Sequence, residues 1–362
     1  SNAQGTITYK VKTNGTTTAS TLSGSKLTAG AMSAENDNNQ TVVVTVTAGG
    51  NTNYASGSKD LTITVQKYTP TLAWTSTTPS SIVYGTTGRT ATVTATVAGG
   101  TKGKITYTSG TTDVLEIDAN TGALTTKMVG SSEITASIAR TSTVKPATTK
   151  KTITVVQNTN PITATGKTLT YNGKDQELIT VSNAQGDVYY SVGTVLSNSN
   201  YQTAGSTTIP TKKDANVNGY VVYYYCVGNK NYSAKAGSVT TKINKANLTI
   251  TADNKTMTYG GTVPTYTYTG TGFVNGETAS VLGGTASYTV KNSSGTAVTI
   301  SKTTNAGTYT ITPSGLSSNN YNITYKAGTL TIGQETNPIT VTNKTVYTGS
   351  TTDLSTLVSN AQ

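Results

Sequence analysis

Four times along the chain a tyrosine is followed closely by a glycine, at Tyr84-Gly85, Tyr171-Asn172-Gly173, Tyr259-Gly260 and Tyr347-Thr348-Gly349, in steps of about 88 residues. A repeat of that length limits the fold to one that about 88 residues can complete and that can then be multiplied. Three of the four share an approach: Lys167-Thr168-Leu169-Thr170-Tyr171, Lys255-Thr256-Met257-Thr258-Tyr259 and Lys344-Thr345-Val346-Tyr347. Toward the other end of the unit, Asn53-Tyr54, Asn231-Tyr232 and Asn320-Tyr321 each precede a final strand, Leu61–Val65, Val239–Ile243 and Gly328–Ile332. Short alternating runs between Gly and Asn turns predict β-strands, and no segment sustains a 3.6-residue apolar period, so helices should be negligible. The expectation is an all-β chain of tandem immunoglobulin-like β-sandwich domains in an elongated rod.

Composition supports this reading. Threonine fills over a fifth of the positions, roughly, and with Val, Ile and Tyr it suits a pleated, half-buried surface. The chain has no histidine and one cysteine, Cys226. Histidine-based catalytic triads, histidine-ligated metals, internal disulfides and cysteine clusters are therefore all excluded. The net charge of +11 rests on scattered lysines, with Arg89 and Arg140 the only arginines. Solvated lysines guarding strand edges are expected, not a nucleic-acid surface. No apolar run is long enough for a membrane span, and no secretory signal precedes the first strand, so the chain reads as a piece of something longer. Ser1-Asn2-Ala3 match a common scar of vector cleavage.

A second period of about 180 residues overlies the first. SNAQ occurs at Ser1, Ser182 and Ser359, and TNPIT at Thr159 and Thr336. The implied division is 1–67, a unit lacking its first strands; 68–157; 158–246; 247–334; and 335–362, the first strands of a further unit. Two fates are open for 335–362. It either frays, or it completes residues 1–67 of another chain by head-to-tail self-association. The links Gln66–Pro70, Gln157–Pro161 and Asn244–Asn247 are short, and two carry proline, which leaves little freedom between neighbours. Four units would extend on the order of 150 Å.

Asp113-Val114-Leu115-Glu116-Ile117-Asp118-Ala119-Asn120-Thr121-Gly122-Ala123-Leu124, with Val129-Gly130 and Glu133-Ile134-Thr135-Ala136, resembles the bacterial Ig-like group 2 domain. The fourth unit opens on LTITADNKTMTYG and closes on NNYNITYKAGTLTI, and it resembles the MBG repeats of large bacterial surface proteins. These resemblances imply an extracellular, adhesin-like protein of the bacterial cell surface or a secreted one, with motif residues that serve turns and core.

Candidate sites are few. Alternation in the strand through Val222, Tyr224 and Cys226 puts those three on the core side, with Cys226 a small buried residue. Tyr223 and Tyr225 then face outward. With Tyr189 or Tyr190 across the sheet they could contact a glycan or host surface protein, or form an aromatic ladder that stabilises the sheet. Asp214-Ala215-Asn216-Val217-Asn218-Gly219 has the first half of a calcium loop, but Tyr225 stands where the bidentate glutamate belongs, so a turn is expected. Asp118–Gly122 likewise reads as a hairpin turn. The pairs Asp113 with Glu116 and Glu116 with Asp118 have no recognisable cleft around them, so no catalysis and no cofactor are expected. Lys167, Lys255 and Lys344 recur as isopeptide candidates without a recurring acid, and read as solvated strand lysines. The expected function is a non-catalytic stalk or spacer of an adhesin-like protein, the alternative a carbohydrate- or host-protein-binding module using Tyr223 and Tyr225.

Overall fold

The computed structural model describes residues 5–96 and 103–360. Residues 1–4, including Ser1-Asn2-Ala3, lie outside the described set. The described chain is nearly all β, and its longest helix has four residues, Tyr201–Ala204. It divides into two compact units: residues 1–161 with 184–187 and 226–235, and residues 162–183 with 188–225 and 236–362.

In the first unit, the 1–67 repeat forms a three-stranded antiparallel sheet with Gln40–Ala48 between Ile7–Asn14 and Gly57–Val65. Among its described residues, only Met32, Val42 and Val44 of its apolar side chains are buried. The next repeat is better closed. Its four-stranded sheet runs Ile105–Ser109, Gly130–Ile138, Ala147–Val156 and Ser81–Val83. A three-stranded sheet of Leu115–Ile117, Ala123–Thr126 and Arg89–Thr90 supplies the second layer. Period-2 alternation explains the packing, because Ile134, Ile153 and Val155 point inward from one sheet to meet Leu115 and Leu124 from the other. Each such side chain contributes about 1.5–3 kcal/mol by leaving water.

Apart from the strand ends Cys226 and Lys235, the second unit holds a four-stranded sheet in the order Thr168–Thr170, Lys235–Asn244, Asn216–Cys226, Val188–Val192. Another has the order Lys255–Thr258, Gly328–Gly333, Gly307–Ser317, Gly283–Lys291. A three-stranded sheet of Tyr268–Thr271, Ala246–Ala252 and Tyr321–Lys326 accompanies the latter. The core between them holds Ala252, Val290, Tyr309, Ile311, Leu330 and Ile332. Farther on, Ile339–Val341 pairs antiparallel with Val358–Asn360, setting Thr340 opposite Ser359. The equivalent residues of the earlier copy, Thr163 and Ser182, are paired in the same way.

The Lys-Thr approach segments have one structural job. Thr168–Thr170 runs parallel to Lys242–Asn244, and Lys255–Thr258 runs parallel to Leu330–Gly333. Ser81–Val83 does the same on Thr154–Val156. Each segment closes a sheet edge and delivers the tyrosine of its Tyr-Gly pair to the end of the sheet.

Candidate functional site: tyrosine joints between repeats

The two tyrosine motifs that mark the period meet each other. Within the first unit, Tyr84 of one Tyr-Gly pair packs edge-on against Tyr232 of an Asn-Tyr pair, with ring centroids 5.5 Å apart and planes at 82°. Within the second unit, Tyr171 packs edge-on against Tyr321, 5.5 Å apart at 79°. Such aromatic pairs add about 0.5–1.5 kcal/mol beyond area burial. The asparagine beside each receiving tyrosine pins the preceding repeat. Asn231 Oδ1 accepts the Val129 amide at 2.9 Å, and Asn320 Oδ1 accepts the Ala215 amide at 2.8 Å. The Asn158 side chain further donates to the Tyr84 carbonyl at 3.0 Å.

The Tyr171–Tyr321 joint adds a carboxylate. Tyr171 Oη donates to Glu277 Oε1 at 2.5 Å, and Tyr321 Oη donates to Oε2 at 2.6 Å. Lys213 Nζ lies 4.0 Å from Oε1. Tyr321 Oη also accepts the Val274 amide at 2.9 Å, and the Phe273 ring packs edge-on against Tyr321. Burial alone would raise the Glu277 carboxyl, but the two tyrosine hydrogen bonds and the Lys213 charge outweigh it and the net shift is downward. Burial first, then the hydrogen bond to an ionised Glu277, pushes the Tyr171 hydroxyl far above its usual range, and Tyr321 moves upward for the same reasons. The result is one anion held by two neutral phenols. The turn after Tyr171 needs its glycine: Gly173 has φ 73°, and a Cβ there would stand 2.6 Å from Asn275 Cβ. Asn275 in turn donates its amide to the Gly173 carbonyl at 3.0 Å.

A different lock lies where the 1–67 repeat meets its neighbour. The Lys67 side chain is fully buried, donating to the Ala34 carbonyl at 2.7 Å and to Asp37 Oδ1 at 3.1 Å. Arg140 holds the other Asp37 oxygen at 2.9 Å. The expectation that the lysines are solvated therefore fails at Lys67, because the short link draws it into the joint.

The sequence-predicted tyrosines separate. Val222, Tyr224 and Cys226 are buried as alternation requires. Cys226 Sγ accepts from Asn160 Nδ2 at 3.2 Å. Tyr223 is half-buried on the other side. Tyr225 corrects the expectation of an exposed contact residue, since it is only 5 % exposed. The Tyr201 ring stacks on it at 4.8 Å and 14°, and the Tyr225 hydroxyl donates to Asn198. Tyr189 packs edge-on against the same Tyr201, while Tyr190 is buried. The Asp214–Gly219 segment is a turn in which Asn216 Oδ1 accepts the amides of Asn218 and Gly219. Asp118 Oδ1 caps its own turn through Asn120 and Thr121, Glu116 pairs with Lys127, and Lys167 pairs with Glu177.

Residues 248–331 match the family model of the MBG domain, YGX type. No curated protein sequence matches the chain. Among solved structures, Drosophila N-cadherin EC1-4 is similar at 10% identity, covering 93% of this chain and 94% of that one, with a TM-score of 0.23. Mouse cadherin-23 EC22-24 is similar at 13% identity, covering 74% of this chain and 100% of that one, also with a TM-score of 0.23. Domains 1-6 of the surface layer protein SbsC are similar at 13% identity over 85% of this chain and 44% of that one, TM-score 0.22.

The two tyrosine joints should respond differently to the loss of a hydroxyl. Tyr321→Phe removes hydrogen bonds to a carboxylate and an amide and should cost about 1.5–3 kcal/mol, whereas Tyr232→Phe keeps the ring contact and should stay within about 0.5 kcal/mol. Amide hydrogen exchange of the two variants beside the parent chain measures the difference, at Ala215 and Val274 for Tyr321→Phe and at Val129 for Tyr232→Phe.

Proposed function

We propose that this chain is a non-catalytic spacer in an extracellular, adhesin-like surface protein, holding other parts of that protein at a distance. The observation that carries the reading is where the repeat-defining residues act. Tyr84, Tyr171, Tyr232 and Tyr321 fasten one repeat to the next, while a binding module would devote its recurring residues to a ligand. The match to the MBG domain and the resemblance of the second repeat to bacterial Ig-like group 2 domains support a repetitive surface protein. Coverage of Tyr225 by Tyr201 weighs against glycan or host-protein binding through Tyr223 and Tyr225, because stacking on a sugar needs a free ring face.

A spacer must keep its joints stiff. Dyes placed on the third and fourth repeats should give a narrow energy-transfer distribution that broadens when Tyr321 becomes alanine. A glycan array probed with the intact chain should be silent. Binding that disappears with Tyr223→Ala would overturn the reading in favour of the recognition module.

A further inference from the structure

The fourth repeat begins and ends on two segments that run side by side. Ala246–Ala252 lies parallel to Tyr321–Lys326 in the three-stranded sheet, and Lys255–Thr258 lies parallel to Gly328–Gly333 in the four-stranded sheet. Ala246 faces Tyr321, Thr251 faces Lys326, Lys255 faces Leu330 and Thr258 faces Gly333, so the offset never changes as both segments cross from one sheet to the other. The crossing is tight. A Cβ on Gly328 would stand 2.2 Å from the Ala252 carbonyl oxygen, and the Thr329 amide donates to Asn254 Oδ1 at 2.8 Å. Leu248 and Ile250 of the first segment, and Leu330 and Ile332 of the last, are buried. A slip by one residue would turn each of them to the opposite face. The second repeat joins its ends more sparingly. Among the described residues, Tyr68 bridges Val144 and Ser81–Val83 lies parallel to Thr154–Val156, whereas Thr71–Trp74 between them pairs with Val93–Thr96 instead.

We propose, resting on the spacer reading, that this chain bears tension and that the fourth repeat is a shear lock stronger than the second. A spacer passes any pull through the two ends of each repeat. In the fourth repeat the pull enters at Ala246 and leaves at Gly333. Because the paired segments run in the same direction, it drags one lengthwise along the other. Their hydrogen bonds are evenly spaced along the strands, so they share the load and fail together. In the second repeat the same pull meets the Tyr68 bridge and three residue pairs. Pulling the final ends apart sideways is a different case. Thr258 and Gly333 are partners across the sheet, and force applied just beyond them opens the bonds one after another from that end.

Constant-force unfolding of the full chain tests this, with cysteine handles placed at exposed positions so that no core side chain changes. Cys226 is fully buried, so in the folded chain the handles attach at the introduced cysteines alone. Handles at Lys245→Cys and Gln334→Cys load the fourth repeat in shear, and handles at Thr262→Cys and Gln334→Cys peel it from one end. Forced unfolding reads the unfolding rate. At one force the sheared repeat should outlive the peeled one at least about a hundredfold, the effect of breaking several bonds in one step. With handles at Gln66→Cys and Gln157→Cys, the second repeat should unfold at least about tenfold faster than the sheared fourth. Equal lifetimes in the two directions, or a second repeat that lasts as long as the fourth, would each overturn the proposal. Neither result touches the energy-transfer widths or the glycan array that test the spacer reading, so the two can fail separately.

Discussion

Replacing Glu277 with alanine should weaken the Tyr171–Tyr321 joint by about 3–4 kcal/mol, more than any single tyrosine hydroxyl deletion there. The substitution removes two charge-assisted hydrogen bonds and leaves two phenols buried without their acceptor. Glu277→Gln preserves the shape and one good acceptor, and should cost only about 1–2 kcal/mol. A chain with several repeats is not expected to unfold in one step, so the measurement is local. Amide hydrogen exchange at Ala215 and Val274, which donate to Asn320 and Tyr321, should accelerate in Glu277→Ala and much less in Glu277→Gln. Unchanged exchange at both amides would mean that the carboxylate does not hold the joint.

The same cluster fixes the pH range of the joint. Glu277 has a folded pKa below its unfolded one, so its contribution is present above the ordinary glutamate range and disappears as pH falls through the folded value. Tyr171 and Tyr321 have folded pKa values above their unfolded ones. Between those limits the folded state binds more protons, so their contribution is full below about pH 10 and declines as pH rises beyond it. Protection of the Val274 amide, measured relative to its intrinsic exchange rate at each pH, should therefore be greatest across the neutral range and fall toward both extremes. In Glu277→Gln the acid-side fall should vanish.

The period was legible in the sequence because tyrosine is the abundant aromatic and each copy sits beside glycine or asparagine. What the two tyrosines do was not legible. Tyr171 and Tyr321 lie on different repeats, and their meeting depends on how one sheet end abuts the next, which leaves no trace in local spacing. Glu277 gave no signal either, as a lone acid in a Val-Asn-Gly-Glu loop. Alternation did place Val222, Tyr224 and Cys226 on the buried side. It failed for Tyr225 because a polar loop with one short helical turn folds back and lays Tyr201 over it, and periodicity says nothing about what covers the outer face of a sheet.

Lys67 shows the same limit with a larger energetic consequence. Asp37→Ala should destabilise the first compact unit by about 3 kcal/mol or more, because it strands a fully buried ammonium with only the Ala34 carbonyl and no counter-charge. The reverse deletion is milder. Lys67→Met fills the same channel with an apolar chain, and Asp37 keeps Arg140 at 2.9 Å and some contact with water, so the cost should stay below about 1.5 kcal/mol. If the buried ion pair is what makes Asp37 indispensable, the double variant Asp37→Ala with Lys67→Met should be more stable than Asp37→Ala alone, with a coupling of about 2 kcal/mol in a double-mutant cycle. Additive costs would instead assign the loss to Asp37's contact with Arg140, which is partly exposed and should then fade as salt is added. The buried pair, shielded from ions, should show almost no salt dependence, so amide exchange at Met32 and Tyr68, which donate to Ser142 and Thr143 beside the pair, measured at low and high ionic strength, separates the two causes.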